Sequence, residues 1–267
     1  MIRLLAQTVH TLPETLGFRV GEKGVHNTRT MMFEDLETLL EECPRDTSKE
    51  DYQTAVVEDN LLAKNTDSTR RYTAQRLAEL YGLDPEIPLF RTFRRYWDAD
   101  ERGRPLLAML LVLARDPLLR LTAEPVLEME IGEAFDKTKL QEVIARETGD
   151  RFSETSIKKI SQMTGSSWTQ SGHLEGRYNK TRQRPKCTPA TTAYGLLLGY
   201  LCGVRGALLF ETFWTQVLDA PGHELREHAA RASRRRLLTY RNAGGIIEVD
   251  VSILLTDEED ARIREQN

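Results

Sequence analysis

Apolar side chains recur at helical spacing through most of the first half of the chain, between about residues 30 and 120. The first stripe runs from Met31 to Leu40, and Pro44 ends it because proline cannot continue a helix. The last stripe, residues 105–115, is apolar on every side, so we expect it inside the core. The helices predicted between them cover residues 49–62, 67–82 and 88–96.

A helix-turn-helix pattern follows in the second half of the chain. Residues 125–136 lack helical periodicity and are bounded by Pro and Gly, which favours a strand or a linker and a domain boundary. Residues 137–147 have helical spacing, Gly149 marks a turn, and Ser153 is a good N-cap for a second helix, which ends near Trp168. Two helices joined by a glycine-containing turn are the outline of a helix-turn-helix.

A loop rich in glycine, asparagine and arginine comes next, from Gly172 to Cys187. Its composition is unsuited to a buried helix and is typical of an exposed hairpin, the position that a wing would occupy. Further on, apolar and acidic residues alternate over 247–251, which predicts a strand, and residues 256–267 are predicted to be a solvated end. We expect three more helices, at 189–204, 207–218 and 223–236, and a turn at 240–245.

These elements predict a mainly α protein: a helical bundle with a winged helix-turn-helix-like part and a short C-terminal β-strand or hairpin. We expect an N-terminal helical domain over residues 1–125, and a winged-helix-like and C-terminal helical domain over residues 126–267. The composition agrees with this picture, since 40% hydrophobic and 29% charged residues in a chain of 267 are ordinary for a soluble globular protein.

Cysteine usage and apolar runs bear on the compartment. Cys43, Cys187 and Cys202 lack the paired spacing of a zinc site or a disulfide framework, which favours reduced thiols. Residues 1–21 have no apolar core of signal-peptide length. The longest apolar run, 193–204, is shorter than the ~20 residues that a bilayer needs, so it predicts a buried helix. We therefore expect a cytoplasmic protein with no membrane partner.

Positive charge is concentrated in one segment of an otherwise acidic chain. The formal net charge is −4, so the whole molecule gives no argument for polyanion binding. Between Thr155 and Lys186, however, there is one acid, Glu175, and there are seven cations: Lys158, Lys159, Arg177, Lys180, Arg182, Arg184 and Lys186. Such clusters attract phosphate backbones through counterion release, although a solvated basic loop without a partner has the same composition.

A second cluster consists of arginines between Arg231 and Arg241. The guanidinium fork suits phosphate or carboxylate. These arginines are also placed to pair with nearby acids and to favour the dipole at the end of the last helix. Both interpretations stay open at this point.

Catalytic signatures are absent from the sequence. There is no phosphate-binding GxxxxGK[ST], no GxGxxG after a strand, no GxSxG elbow and no HExxH. His223 and His228 are five residues apart and so miss the i, i+4 spacing of a helical metal pair. We therefore expect no catalytic residue, no cofactor, no metal site and no small-molecule substrate. Of the aromatics near the cations, Trp168 is predicted to be core, while Tyr178 is of the type that stacks on bases.

Three segments together are characteristic of a known family. They are DNLLAKNTDSTRRYTAQRL (59–77), LARDPLLR (113–120), and the helix-turn-helix that ends in a glycine-rich cationic loop. In this combination the chain, from about residue 30 to 255, resembles BrxA, the small accessory protein of BREX bacteriophage-exclusion systems. The resemblance implies a helical amino-terminal region similar to the antitermination factor NusB, a winged-helix-like part, no catalysis, and binding to double-stranded DNA within a defence complex.

The expected ligand is therefore duplex DNA, contacted mainly at its phosphates, and the expected partners are other subunits of a phage-defence complex. On the predicted helix, Lys158 and Lys159 would lie in a groove, and Gln162, Ser166, Thr169 and Gln170 would reach base edges. On the wing, Arg177, Lys180, Arg182 and Arg184 would touch phosphate. By the resemblance alone, Asn60, Lys64, Arg70 and Arg71 match the family's amino-terminal motif, and the last three would also contact DNA.

Two other functions are consistent with the same residues. A protein-interaction subunit would use the cationic loop to dock on an acidic patch of a larger partner. RNA binding, which the likeness to NusB implies, is the third possibility. Steep salt dependence of duplex binding favours DNA, whereas a partner that co-purifies after nuclease treatment favours docking.

Overall fold

Small polar residues and prolines set the ends of the helices. A computed structural model of the chain describes residues 13–265. Ser48, Thr66 and Ser153 each accept a hydrogen bond from the backbone N–H three residues on, which caps the helix that follows. The helices of the first half are α1 Phe33–Glu42, α2 Lys49–Val57, α3 Asp67–Tyr81, α4 Pro88–Ala99, α5 Arg104–Arg115, α6 Pro117–Leu121 and α7 Ala123–Leu127.

The second half contains longer helices and two small antiparallel hairpins. Strand β1, Leu174–Glu175, pairs with β2, Thr181–Arg182, and strand β3, Thr239–Ala243, pairs with β4, Ile246–Asp250. The β3–β4 register places Arg241 opposite Glu248. The helices are α8 Lys137–Thr148, α9 Glu154–Gln170, α10 Pro189–Leu201, α11 Phe213–Gln216, α12 Gly222–Arg234 and α13 Asp257–Glu265.

The prediction of a mainly helical protein with a short antiparallel strand pair near the C-terminus is confirmed. The predicted turn at 240–245 is wrong except at its two glycines, because residues 239–243 form β3. The predicted helix 207–218 is broken: Gly206–Glu211 is a 3-10 helix, and Thr212 then caps α11. The tail from Asp257 is helical and docked, since Ile263 is buried and Glu259 pairs with Arg91.

Three helices, α4, α5 and α10, pack on one another at the centre of the protein. Every side chain from Leu106 to Ala114 is buried, as is nearly all of α10, and each fully buried Leu contributes about 2 kcal/mol. Phe93 links the two halves, because its ring lies 5.3 Å from that of Trp97 and 6.1 Å from that of Tyr194. The main core thus draws side chains from both sides of residue 125, and the domain boundary placed there stays a prediction.

The predicted apolar helix at 193–204 is the buried helix α10. Among residues 13–265, none of the helices is long and apolar enough to span a bilayer. Residues 1–12, over which the absence of a signal peptide is also predicted, lie outside the described residues.

The buried carboxylate of Asp116 connects the segment around Val25 to the start of α6. Asp116 caps α6 by accepting the N–H of Leu119 at 3.1 Å, and its other oxygen accepts the N–H of Val25 at 2.5 Å. Nδ1 of His26 lies 3.0 Å from the same oxygen, and Nε2 of that ring lies 2.8 Å from Oγ of Ser167 in α9. Burial raises the pKa of Asp116, but His26 and the backbone donors outweigh it and hold that pKa below its usual value.

We expect Asp116→Ala to lower the free energy of unfolding by about 3 kcal/mol, because several buried donors lose their acceptor at once. Urea denaturation followed by circular dichroism measures the change. Glu147→Ala is the matched control, since Glu147 forms an exposed pair with Arg146 and its loss should leave the midpoint unchanged. Equal midpoints for the two variants would contradict the role assigned to Asp116.

Candidate nucleic-acid interface

Helix α9 has one face fixed in the core and one face in solvent. On the inner face Trp168 is fully buried, as predicted, and its Nε1 donates to Oγ1 of Thr122 at 2.8 Å. Oγ of Ser167, on the same side, accepts the N–H of Met31 at 2.8 Å. The outer face carries the exposed side chains of Lys158, Lys159 and Gln162. The helix therefore presents two of the predicted cations to solvent on a rigid support.

The turn between α8 and α9 is short and is set by Gly149 and Ser153. Gly149, with φ at +53°, ends α8, and Ser153 starts α9 after one short 3-10 turn. A small separate core holds the two helices together through Ile144 of α8 and Ile157 and Ile160 of α9, with Leu118 of α6 beneath them. These contacts fix the angle at which α9 is presented.

A three-segment β structure stands beside α9. Strands β1 and β2 form the hairpin. The segment before α8 lies beside β2 as a third extended segment, since Ala134 forms an antiparallel bridge with Thr181. The N–H of Phe135 donates to the carbonyl of Lys180 at 2.8 Å. The ring of Phe135 also packs on α9 at Gly165, where a Cβ would come within 3.2 Å of it. A larger residue at position 165 would push against this ring.

Lys180 ties the hairpin to α9. Its Nζ donates to the carbonyl of Gly165 at 2.9 Å and to Oγ1 of Thr169 at 2.8 Å. The side chain is half-buried, and burial lowers the pKa of Lys180 below its ordinary value. Two of the predicted contact residues, Lys180 and Thr169, are thus engaged with each other.

A groove of about 790 Å³ lies between α8, α9 and the hairpin. Its cations are Lys137, Lys158, Arg177 and Lys180, and one acid, Asp136, also lines it. Polar groups able to bond base edges or phosphates are present too, and the predicted Gln162 and Ser166 are among them. The groove is therefore polar and predominantly positive.

The prediction that Arg182 touches phosphate is wrong. Its side chain is 1% exposed, and Nη2 lies 2.8 Å from Oδ2 of Asp219. Nε donates to the carbonyl of Val126 at 3.0 Å, and Nη1 donates to the carbonyls of His173 and Gln183. Arg182 is a structural residue at the base of the hairpin, because a guanidinium with these partners is not available to an external anion.

The remaining wing cations, Arg177 and Arg184, are exposed, and so is Lys186. Within residues 13–265, neither Arg177 nor Arg184 forms an ion pair with an acid. Lys158 has a loose pair, with Nζ 3.9 Å from Oε2 of Glu154. The predicted surface thus keeps Lys158, Lys159, Arg177 and Arg184 as accessible charges.

The three amino-terminal cations do not line this groove. Nζ of Lys64 lies 2.6 Å from Oδ1 of Asp35, and Arg71 pairs with Asp67 at 2.8 Å. Arg70 donates to the carbonyl of Val57 at 2.8 Å. These contacts join the segment before α3 to α1, the start of α3 to α2, and the first turn of α3 to itself, so the three side chains have structural partners here. Contact of these residues with DNA stays a prediction.

The second arginine cluster lies around the end of α12 and is partly paired. Arg231 lies 3.6 Å from Glu227, and Arg241 lies 3.5 Å from Glu248 across the β3–β4 hairpin. Arg235 donates to the carbonyl of Ala99 at 2.7 Å. Pairing with acids thus accounts for Arg231 and Arg241, whereas Arg235 binds a carbonyl at the end of α4 and not at the end of α12.

His26, Asp116 and Ser167 have the spacing of a serine-hydrolase triad. Their side chains are, however, buried to 1% exposure or less. Oγ of Ser167 is also occupied by the N–H of Met31. A nucleophile needs an open path to its substrate, so this constellation serves as a connection between α6 and α9.

Several groove residues were missed by sequence reasoning, among them Lys137 and Gln141 of α8. Lys137 lies outside the segment in which the cations cluster, and only the fold brings it to the hairpin. Neither the protein-family models nor the curated proteins contain a match for this chain.

The buried His173, at the base of the hairpin, makes the stability of the fold depend on pH. Nε2 donates to the carbonyl of Val217 and Nδ1 lies by Oγ of Ser171, both at 2.8 Å. Burial, with the charge of Arg182 as a lesser cause, lowers the pKa of His173 to about 3. Below about pH 6.5 the unfolded chain therefore binds a proton that the folded protein excludes.

We expect the stability advantage of the wild type over His173→Gln to shrink by about 1 kcal/mol per pH unit between about pH 6 and pH 4. Urea titrations at each pH measure it. His223→Gln, at an exposed histidine, should keep the pH dependence of the wild type. A difference between wild type and His173→Gln that stays constant over this range would contradict a buried neutral ring.

Proposed function

We propose that this protein binds duplex DNA through α9 and the β1–β2 hairpin, as a non-catalytic cytoplasmic accessory component of a bacterial phage-defence (BREX) system. In this proposal the predicted domain at residues 126–267 contains a winged helix-turn-helix, with the hairpin as its wing. The amino-terminal helices are the part similar to NusB. Other subunits of the defence complex are its protein partners.

The order of the elements supports the winged-helix part of the proposal. A strand-like segment at 133–135 precedes α8, α9 follows after a short turn, and the β1–β2 hairpin then closes the sheet. The segment pairs with β2, and β2 pairs with β1, so the hairpin lies beside α9. A helix presented in this way fits a major groove about 12 Å wide.

One observation carries the proposal: exposed cations with little or no acidic pairing lie along α9 and the hairpin. They are Lys158, Lys159, Arg177 and Arg184. The 17 residues of α9 span about 25 Å, which is enough to follow a groove across both phosphate backbones. Phosphate binding by each cation releases counterions and makes the affinity depend on salt.

We expect the variant with Lys158, Lys159, Arg177 and Arg184 all changed to Ala to bind duplex DNA at least about 100-fold more weakly than the wild type. The slope of log affinity against log salt should become shallower by about 3.6, since each of the four lost phosphate contacts removes about 0.9. Fluorescence anisotropy with a labelled 20-base-pair duplex at several salt concentrations measures both quantities.

The charge-matched control changes Arg231, Arg234, Arg235 and Arg241 to Ala, and it should retain the affinity and slope of the wild type. An equal loss in both variants would mean that net charge, and not this surface, governs binding. Absence of binding in the wild type would overturn the proposal and favour docking of the basic surface on an acidic protein. Competition with an RNA duplex of equal length distinguishes DNA from RNA as the ligand.

Lys180 should act by positioning the hairpin, because its Nζ is bonded to Gly165 and Thr169. We expect Lys180→Met to weaken duplex binding about fivefold to tenfold with an unchanged salt slope, since no phosphate contact is lost. Hydrogen exchange at residues 176–179 should become faster, because the hairpin loses its tie to α9.

Lys186→Met, at an exposed lysine beyond the hairpin, is the control, and hydrogen exchange at residues 176–179 should match the wild type in it. A salt slope lowered by about 1 in Lys180→Met would instead identify Lys180 as a phosphate contact.

A further inference from the structure

The tip of the β1–β2 hairpin carries an aromatic side chain that is almost fully exposed to solvent. The Tyr178 side chain is 85% exposed, more than any other large apolar or aromatic side chain among residues 13–265. The guanidinium carbon of Arg177 lies 5.2 Å from the centre of its ring. One face of the ring is therefore covered by a cation, and the rest of it is free.

The tip is held in a fixed shape. Gly176 has φ at +107°, and a Cβ at this position would come within 2.3 Å of the carbonyl oxygen of Asn179. Only glycine allows so tight a turn. On either side of the loop the strands pair, and Lys180, the last residue of the loop, is bonded to α9. The ring of Tyr178 is thus presented at the edge of the groove from a braced support.

A cation beside an open aromatic face suits a nucleobase. Bases stack on aromatic side chains in proteins that bind unpaired nucleic acid, and arginine adds to the interaction. Arg177, Tyr178 and Asn179 all line the groove in which the proposed duplex lies. The stacking surface and the cationic surface are therefore continuous.

The bases of a continuous duplex are stacked on one another, so the ring of Tyr178 finds no open base face there. An unpaired base next to a duplex offers such a face.

We propose that Tyr178 stacks on an unpaired base adjoining the bound duplex, so that the protein prefers junctions of single-stranded and duplex DNA over continuous duplex. The inference rests on the proposed DNA binding. It assigns α9 and its groove to the duplex arm and the hairpin tip to the first unpaired base.

The test compares three DNAs that share one 20-base-pair arm: a blunt duplex, the same duplex with a five-nucleotide flap, and a flap of equal length made of abasic residues. The wild type should bind the base-containing flap about tenfold more tightly than the other two. The abasic flap has the same phosphates, so it removes the electrostatic contribution of the added strand. Quenching of 2-aminopurine at the first flap position reports stacking directly.

Tyr178→Ala should bind all three DNAs equally and with the affinity of the wild type for blunt duplex, whereas Tyr178→Phe should keep the preference. Since Tyr178 is exposed, neither change threatens the fold. Arg184→Ala is the control that weakens binding to every DNA and leaves the ratio unchanged.

Equal affinity of the wild type for the flap and the blunt duplex, without quenching, would overturn this inference and leave duplex binding intact. The same holds if the preference persists in Tyr178→Ala. Failure of the wild type to bind any of the three DNAs would overturn duplex binding and, with it, this inference.

Discussion

The carboxylate of Asp116 is the constraint on which the rest of the structure depends. A buried charge is tolerated only where several donors surround it, and here they come from different parts of the chain: Val25, His26 and Leu119. Through His26 the same cluster reaches Ser167 in α9. These hydrogen bonds hold the inner face of α9 against the end of α5 and the start of α6. The direction in which α9 presents its cations follows from these contacts.

The cations between Arg177 and Arg184 differ in their exposure to solvent. Arg182 is desolvated and ion-paired with Asp219, and Lys180 is half-buried on the backbone of α9. Both contribute to holding the hairpin in place, and Arg182 is too buried to bind an external anion. Arg177 and Arg184 are exposed to solvent, so fewer cations are accessible than the sequence contains. The engaged cations lie between the exposed ones in the sequence because the hairpin needs internal contacts of its own.

Elements whose ends depend on neighbouring residues could be predicted from the sequence, whereas features that depend on contacts with distant residues could not. The helix at 67–81 was predicted almost to the residue, since its glycine stop is local, and Ser153 marked the start of α9 in the same way. The strand at 239–243 was missed, because alternation over so few residues is weak. Arg182 was misassigned because burial of a cation depends on Asp219, a partner 37 residues away. For the same reason Lys137 was overlooked, since the fold alone brings it to the groove.

A net charge of −4 shapes how such a protein could hold DNA. At physiological salt, charges beyond about 8 Å are largely screened, so the acidic remainder does not cancel the basic surface. In the proposed complex, the acidic end at Asp257–Glu265 would face away from DNA. Few exposed cations would contact phosphate there, so shape-dependent contacts would supply a larger share of the binding free energy. The hairpin tip, with the exposed ring of Tyr178, is the proposed place for one such contact.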